Sequence, residues 1–280
     1  MPKFCASIGV LFTFAAVILL VFGEIGQLTP SLIPRHLRIV SIDTSGVGVA
    51  LAAAAKEQGG AVAALAGGNF SDIYSTQVLG EGYFTKKTNE TIHTGLRKSY
   101  EWAFWSYCTT NGDLGSSRSY CLERSIDGPR FHPAQVLLED IPETYATLLK
   151  DVLPDTVFTA DDYLSSYTRG ATYATMVGAL CAALSALFAL FARRGAFILA
   201  SLLAIISFLG LAVGNVIWTV IVNRAIKGIN DATTAGTDLG ITVSYGNALW
   251  IMWAATALML ASILPLAISC CTGRSDAARY

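Results

Sequence analysis

Four apolar runs divide the chain, at residues 4–22, about 170–191, about 195–222 and about 247–268. Each is close to the roughly 20 residues a helix needs to cross the ~30 Å hydrocarbon core of a bilayer. The pattern predicts transmembrane helices over 1–23, 169–192, 195–222 and 247–269. A long polar segment at 24–168 and a shorter one at 223–246 separate them, and a brief tail fills 270–280. The first run could also be a secretory leader. It is long for the apolar part of one, and Phe22-Gly23-Glu24 offers no small-x-small cleavage site, so a retained span is expected. The fold class predicted is an integral membrane, mainly α protein: a four-helix transmembrane bundle with a small extracellular β-sheet.

Charge sets the expected orientation. Arg193 and Arg194 sit in the tight turn between the second and third runs, and positive charge in short loops stays cytoplasmic. Both termini are then cytoplasmic, in agreement with Lys3, Arg274 and Arg279. Both polar segments face outwards. Asn69-Phe70-Ser71 and Asn89-Glu90-Thr91 are glycosylation sequons in the outer segment, making Asn69 and Asn89 candidate glycan acceptors.

Within the polar segments, alternation predicts strands. Residues 37–44 alternate and are rich in β-branched side chains. A strand over 100–107 would place Trp102, Phe104 and Ser106 on one side and Trp105 and Tyr107 on the other. Residues 240–246 read as a third strand, bounded by glycines, able to pair with either of the others. Cys108 and Cys121 are close enough in sequence to close a small loop if they meet an oxidising compartment, with aromatic rings packed against the bridge. The alternative is a pair of buried free thiols. Residues 46–68, rich in Ala and Gly, suit short helices on the outer domain or a mobile insertion. Pro133, Pro142 and Pro154 predict short helices over 131–162.

Composition narrows the chemistry. The chain is 53% hydrophobic and 14% charged with net charge −1, which argues against a nucleic-acid partner. It has no CxxC and no Cys/His cluster, so no metal is expected. His36, His93 and His132 are scattered without a nucleophile partner, so no catalytic residue and no cofactor is expected. Asp43-Thr44-Ser45-Gly46 resembles an aspartic-protease loop but lacks a second carboxylate copy. The spans carry no charge in their central parts, which disfavours an ion or proton pathway. Asn215, the one strongly polar side chain deep in a span, is expected to bond a neighbouring helix or the outer domain.

Small residues supply packing signals. Ala174, Gly178, Ala182 and Ala186 recur every four residues, and Gly210 with Gly214 makes a GxxxG. Packing within the chain is expected rather than dimerisation. Cys5, Cys270 and Cys271 fall at the expected inner leaflet and are palmitoylation candidates, with plain free thiols as the alternative.

The order of these features resembles the claudin-like tetraspans and, more closely, the fungal Sur/PalI family of plasma-membrane proteins. Residues 37–45, Trp105-Ser106-Tyr107-Cys108, Cys121, Phe131-His132-Pro133 and residues 240–250 carry the resemblance, with Trp105, Phe131 and Pro133 as motif positions. The short tail leans towards the eisosome-type branch. The resemblance implies a non-enzymatic tetraspan that organises a plasma-membrane microdomain, linked to cell-wall and stress functions. Its partners would be the lipid bilayer (sterol or sphingolipid among its components), other membrane proteins and further copies of itself. The alternative is an accessory subunit of a pH-sensing receptor, a channel or a wall-synthesis enzyme.

Overall fold

The computed structural model of the 280-residue chain describes residues 2–26, 36–58, 70–76, 84–85, 93–112, 118–122, 131–153, 157–191, 194–234 and 239–272. Its helices are α1 (Pro2–Glu24), α2 (Val47–Gln58), α3 (Pro133–Asp140), α4 (Glu143–Val152), α5 (Asp161–Leu190), α6 (Arg194–Thr234) and α7 (Asn247–Thr272). Its strands are β1 (Val40–Asp43), β2 (Phe84–Thr85), β3 (Ser99–Trp102), β4 (Tyr107–Thr110), β5 (Arg118–Leu122) and β6 (Thr242–Tyr245). The chain forms two compact units. One gathers residues 1–24, 170–218 and 248–280; the other gathers 25–169 and 219–247.

The first unit is a membrane bundle. Four helices, α1, α5, α6 and α7, are long and apolar enough to cross a bilayer. Their surfaces are sorted in the sense lipid demands. Large apolar side chains such as Leu180, Leu184, Leu187, Leu202 and Leu209 point outwards, while Ala200, Ala204, Ser207, Leu211 and Asn215 form a buried stripe along α6. Lipid tails give no hydrophobic drive for helix association, so close backbone approach supplies it. A Cβ on Gly178 would lie 2.9 Å from the Leu211 side chain, and one on Gly210 would lie 2.9 Å from the Ala174 carbonyl oxygen. One on Gly214 would meet Thr175 and lie 2.9 Å from the Ala171 carbonyl oxygen. The small-residue stripe is therefore the antiparallel seam between α5 and α6 of one chain. A second antiparallel seam joins α1 to α7, where Gly9 faces Leu266 and Gly23 faces Met252.

Three buried polar side chains are bonded inside the bundle. The Asn215 amide donates to Thr256 Oγ1 at 2.8 Å, and Thr256 donates to the Met252 carbonyl at 2.8 Å, linking α6 to α7. Ser185 donates to the Ala200 carbonyl at 2.8 Å, linking α5 to α6. An unpaired polar group in hydrocarbon costs several kcal/mol, so these bonds fix which helix faces meet.

Two helices are longer than the hydropathy pattern suggests. α6 has 41 residues and α5 has 30. The polar residues after Val222 keep the helical period, with Ala225 and Ile229 buried and Arg224 and Lys227 exposed. Polar composition reads as loop, but the 3.6-residue period continues to Thr234. The same holds at the start of α5, where Leu164 and Thr168 are buried ahead of the apolar run.

The second unit is built on a six-stranded sheet in the order β2-β5-β4-β3-β1-β6. The pairs are antiparallel except β2 with β5. β1 lies between β3 and β6, pairing Val40 with both Trp102 and Tyr245. Of the two partners open to the strand at 240–246, the β1 pairing is the one formed. The strand expected over 100–107 is instead a hairpin: the Ala103 N–H donates to the Ser106 carbonyl at 3.0 Å and turns the chain between β3 and β4. Part of the Ala/Gly-rich stretch folds as α2, which packs on α4 and on a 3-10 turn at Phe70–Ile73. Residues 59–69 lie outside the described residues.

Glycine is required where backbones touch. The Gly246 N–H donates to the Ile39 carbonyl at 2.7 Å, and a Cβ there would collide with the Arg38 carbonyl. Gly240, at φ +60°, crosses Gly46 just as closely. Gly246→Ala should therefore destabilise the sheet by about 2 kcal/mol, the range for overpacking a filled site. Near-UV circular dichroism during thermal unfolding of the full chain in detergent should show this as an earlier loss of aromatic signal. An unchanged transition would show that the β1–β6 crossing has room to spare.

Candidate functional site

The chemistry-bearing residues of the polar unit collect on the two faces of its sheet. Side chains alternate along each strand and directly paired residues share a face. Val40, Ile42, Tyr100, Trp102 and Tyr107 therefore line one face, and Ser41, Glu101, Cys108 and Cys121 the other.

The first face is an aromatic core. Trp102 stacks on Tyr107 at 5.3 Å and on Tyr100 at 6.0 Å between ring centroids. Phe131 meets Trp102 edge-on at 5.2 Å. Trp102 and Phe131 are fully buried. The Phe131-His132-Pro133 motif now has a physical account. Phe131 fills the core, and Pro133 opens α3, where a missing N–H costs nothing and its fixed φ suits the first helical position.

A buried hydrogen-bond chain fixes α3 to this core. The Tyr100 hydroxyl donates to Asp140 Oδ2 at 2.8 Å and accepts from the Arg97 N–H at 3.1 Å. Burial, reinforced by the neighbouring Asp140 carboxylate, holds the Tyr100 phenol well above its ordinary range, so it stays a proton donor. The loop before β3 caps the end of α3. The His93 N–H donates to the Glu139 carbonyl at 2.6 Å, the Gly95 N–H to the Asp140 carbonyl at 2.9 Å, and His93 Nδ1 bonds the Ile141 carbonyl at 2.8 Å. His93 adopts φ +57° to do so, in keeping with a packing role for this histidine. His36 is exposed. Tyr74 plays a similar part beside β1: its hydroxyl lies 2.9 Å and 2.8 Å from the Thr44 and Ser45 carbonyls and accepts the Gly48 N–H at 3.0 Å. Burial also raises its phenol.

The second face carries the disulfide. Cys108 and Cys121 are directly opposed on β4 and β5, with Cα atoms 4.0 Å apart, and are bonded. One strand over, Glu101 is almost fully buried and pairs with Arg38 at 2.9 Å. Such a carboxylate needs its partner, because leaving it unpaired costs several kcal/mol.

Two sequence expectations are corrected here. Three of the aromatic rings do not wall in the bridge: Tyr100, Trp102 and Tyr107 project from the opposite side of the sheet. Trp105 is half-buried in the turn of the β3–β4 hairpin, and Trp102 is the centre of the aromatic cluster. Both follow from the turn at Ala103. A continuous strand would separate Trp102 from Tyr107; the hairpin folds them into a direct pair on one face.

The remaining candidates fall elsewhere. Gly178, Gly210 and Gly214 lie in the α5–α6 seam. Cys5 lies on α1, and Cys270 and Cys271 lie near the end of α7. Asn69 and Asn89 lie outside the described residues. Sequence reading missed the Arg38–Glu101 pair and the Tyr100–Asp140 bond. A charged Glu in the middle of a strand-like aromatic stretch was the available signal for the first.

A family model described as SUR7/PalI matches residues 5–264, spanning the spans and the polar unit alike. The chain belongs to the SUR7/PalI family. It is a multi-pass, claudin-like tetraspan of that family, a family not known as enzymatic. Comparison with curated proteins gives no match, and comparison with solved structures gives none. Within the SUR7/PalI match, the built feature is the disulfide-tied sheet with its Trp102–Phe131 core.

Cys108→Ser opens a loop with a sequence separation of 13. The chain-entropy model assigns such a loop about 3 kcal/mol. The polar unit should become protease-sensitive while four spans remain inserted. Trp105→Ala should cost less than Trp102→Ala, whose removal from a packed core is worth about 3–5 kcal/mol. Non-reducing peptide mapping checks the pairing, and a Cys108 that alkylates without reductant in folded protein would overturn it.

Proposed function

We propose that the protein organises a domain of the fungal plasma membrane, of the eisosome type, through lateral contacts with lipid and with other membrane proteins, and that it catalyses no reaction. The observation that carries this reading is how the membrane bundle uses its side chains. The small-residue seams and the Asn215, Thr256 and Ser185 bonds are spent inside the chain. What the bundle offers its surroundings is a surface of large apolar groups, including Leu180, Leu184, Leu187, Ile198, Leu202, Leu260 and Leu264. That surface suits lipid tails and broad lateral packing, with sterol or sphingolipid among the candidates. Membership of the SUR7/PalI family supports the same reading.

Mild-detergent isolation tests it. A lipid-rich particle containing several copies is expected. A stoichiometric larger partner would instead favour an accessory subunit of a receptor, channel or wall-synthesis complex.

The orientation proposed has both termini cytoplasmic and the sheet unit outside, because Arg193 and Arg194 occupy the short turn between two spans. The disulfide supports an oxidising location for the sheet unit. Cys5, Cys270 and Cys271 then lie at the inner leaflet as acylation sites, to be read by hydroxylamine-sensitive labelling. Glycosidase treatment should lower the mass of the native protein, and Asn69→Gln with Asn89→Gln should abolish that shift. A glycosylated reporter at the C-terminus would reverse the orientation.

A further inference from the structure

We infer that Arg224, Tyr163 and Tyr167 form a binding site for the phosphate of a membrane lipid headgroup. Tyr163 and Tyr167 stand one turn apart on α5 with ring centroids 4.5 Å apart. Arg224, on α6, donates from Nη1 to the Tyr163 hydroxyl at 3.0 Å. Arg224 is exposed, and Tyr167 is 51% exposed. Among the described residues this guanidinium bonds the Tyr163 hydroxyl and forms no ion pair, so its position is held by a hydroxyl and not by a carboxylate. Lys227, one turn further along α6, is exposed and adds a second positive charge on the same side.

The position along the helices selects a lipid over a soluble anion. No charged residue lies between Arg194 and Arg224. That stretch of helix rises about 45 Å, which matches the ~40–45 Å of a bilayer including both headgroup layers. An arginine at each end is thus at headgroup depth. On α5, Tyr163 and Tyr167 precede the apolar run that begins near Gly170, the level at which tyrosine rings collect in membranes. A guanidinium carries a planar fork of donors that matches phosphate oxygens, and the Tyr163 bond fixes the plane of that fork. The tyrosine rings offer apolar faces to the glycerol and upper acyl carbons beneath. Asp162 is exposed next to Tyr163 and lies about 100° around the helix from it.

The inference rests on the multi-pass membrane architecture and on neither the microdomain proposal nor the orientation, so its test is separate from theirs. The full chain in detergent is titrated with phosphatidic acid, with diacylglycerol of the same chains, and with inorganic phosphate, and bound lipid is counted by native mass spectrometry. Phosphatidic acid should be retained in preference to diacylglycerol, and inorganic phosphate should not displace it. Arg224→Ala should weaken phosphatidic acid binding about tenfold or more, the effect of losing one charge-assisted hydrogen bond. Arg224→Lys keeps the charge and should recover part of the affinity. Tyr163→Phe should weaken binding several-fold with the charge intact. Arg224 is exposed, so these variants should keep the wild-type elution volume and disulfide. Equal binding of the two lipids, or unchanged affinity in Arg224→Ala, would overturn the site. Displacement by inorganic phosphate would make it a soluble-anion site and overturn the lipid assignment.

Discussion

The ladder between β1 and β6 is the constraint on which the polar unit depends. It joins residues 40–43 to residues 242–245, segments separated by two of the four spans, α5 and α6. Without it, the two polar segments would be independent loops. The ladder forms only because glycines let the backbones meet: Gly246 against Arg38, and Gly240 against Gly46. Its other edge gives β1 a second partner in β3, so a four-residue strand is paired on both sides. Closing such long-range contacts is entropically costly, and the two β-branched residues of this strand, Val40 and Ile42, reward it with full burial.

From that strand the rest of the unit follows in two directions. The face carrying Val40 and Ile42 continues into Tyr100, Trp102 and Tyr107, and is sealed by Phe131 and α3. The opposite face carries the polar and covalent ties, Arg38 with Glu101 and Cys108 with Cys121. A small unit with modest apolar volume thus divides its stabilisation between an aromatic layer and cross-links. The membrane bundle solves a different problem. Lipid rewards no apolar burial, so its specificity comes from backbone proximity at Gly178, Gly210 and Gly214 and from a few buried hydrogen bonds.

Function, on this reading, is a matter of surfaces. The sheet unit is internally tied, and two of its buried carboxylates are engaged in structure: Asp140 by Tyr100, Glu101 by Arg38. The bundle turns large apolar side chains outwards, and in the polar unit Arg224 is held by Tyr163 beside Tyr167, the group proposed to bind a lipid phosphate.

By itself the sequence determined the four membrane helices, because about 20 consecutive apolar residues have no other stable fate in contact with a bilayer. It determined the glycine seams by spacing, and it located the strands at 37–44 and 240–246 by alternation. The Cys108–Cys121 pairing was legible as one of two alternatives. Tertiary structure decided the rest. The four-residue turn from Ala103 to Ser106 could not be read from an unbroken aromatic run, yet it reverses which rings share a face and puts Trp102 in the centre instead of Trp105. The ends of α5 and α6 were hidden because polarity imitates a loop while burial of Leu164, Ala225 and Ile229 sustains a helix. The partners of Glu101, Tyr100 and Arg224 lie 63, 40 and 61 residues away. Hydrogen bonding at that separation depends on how the elements pack, which local sequence does not encode.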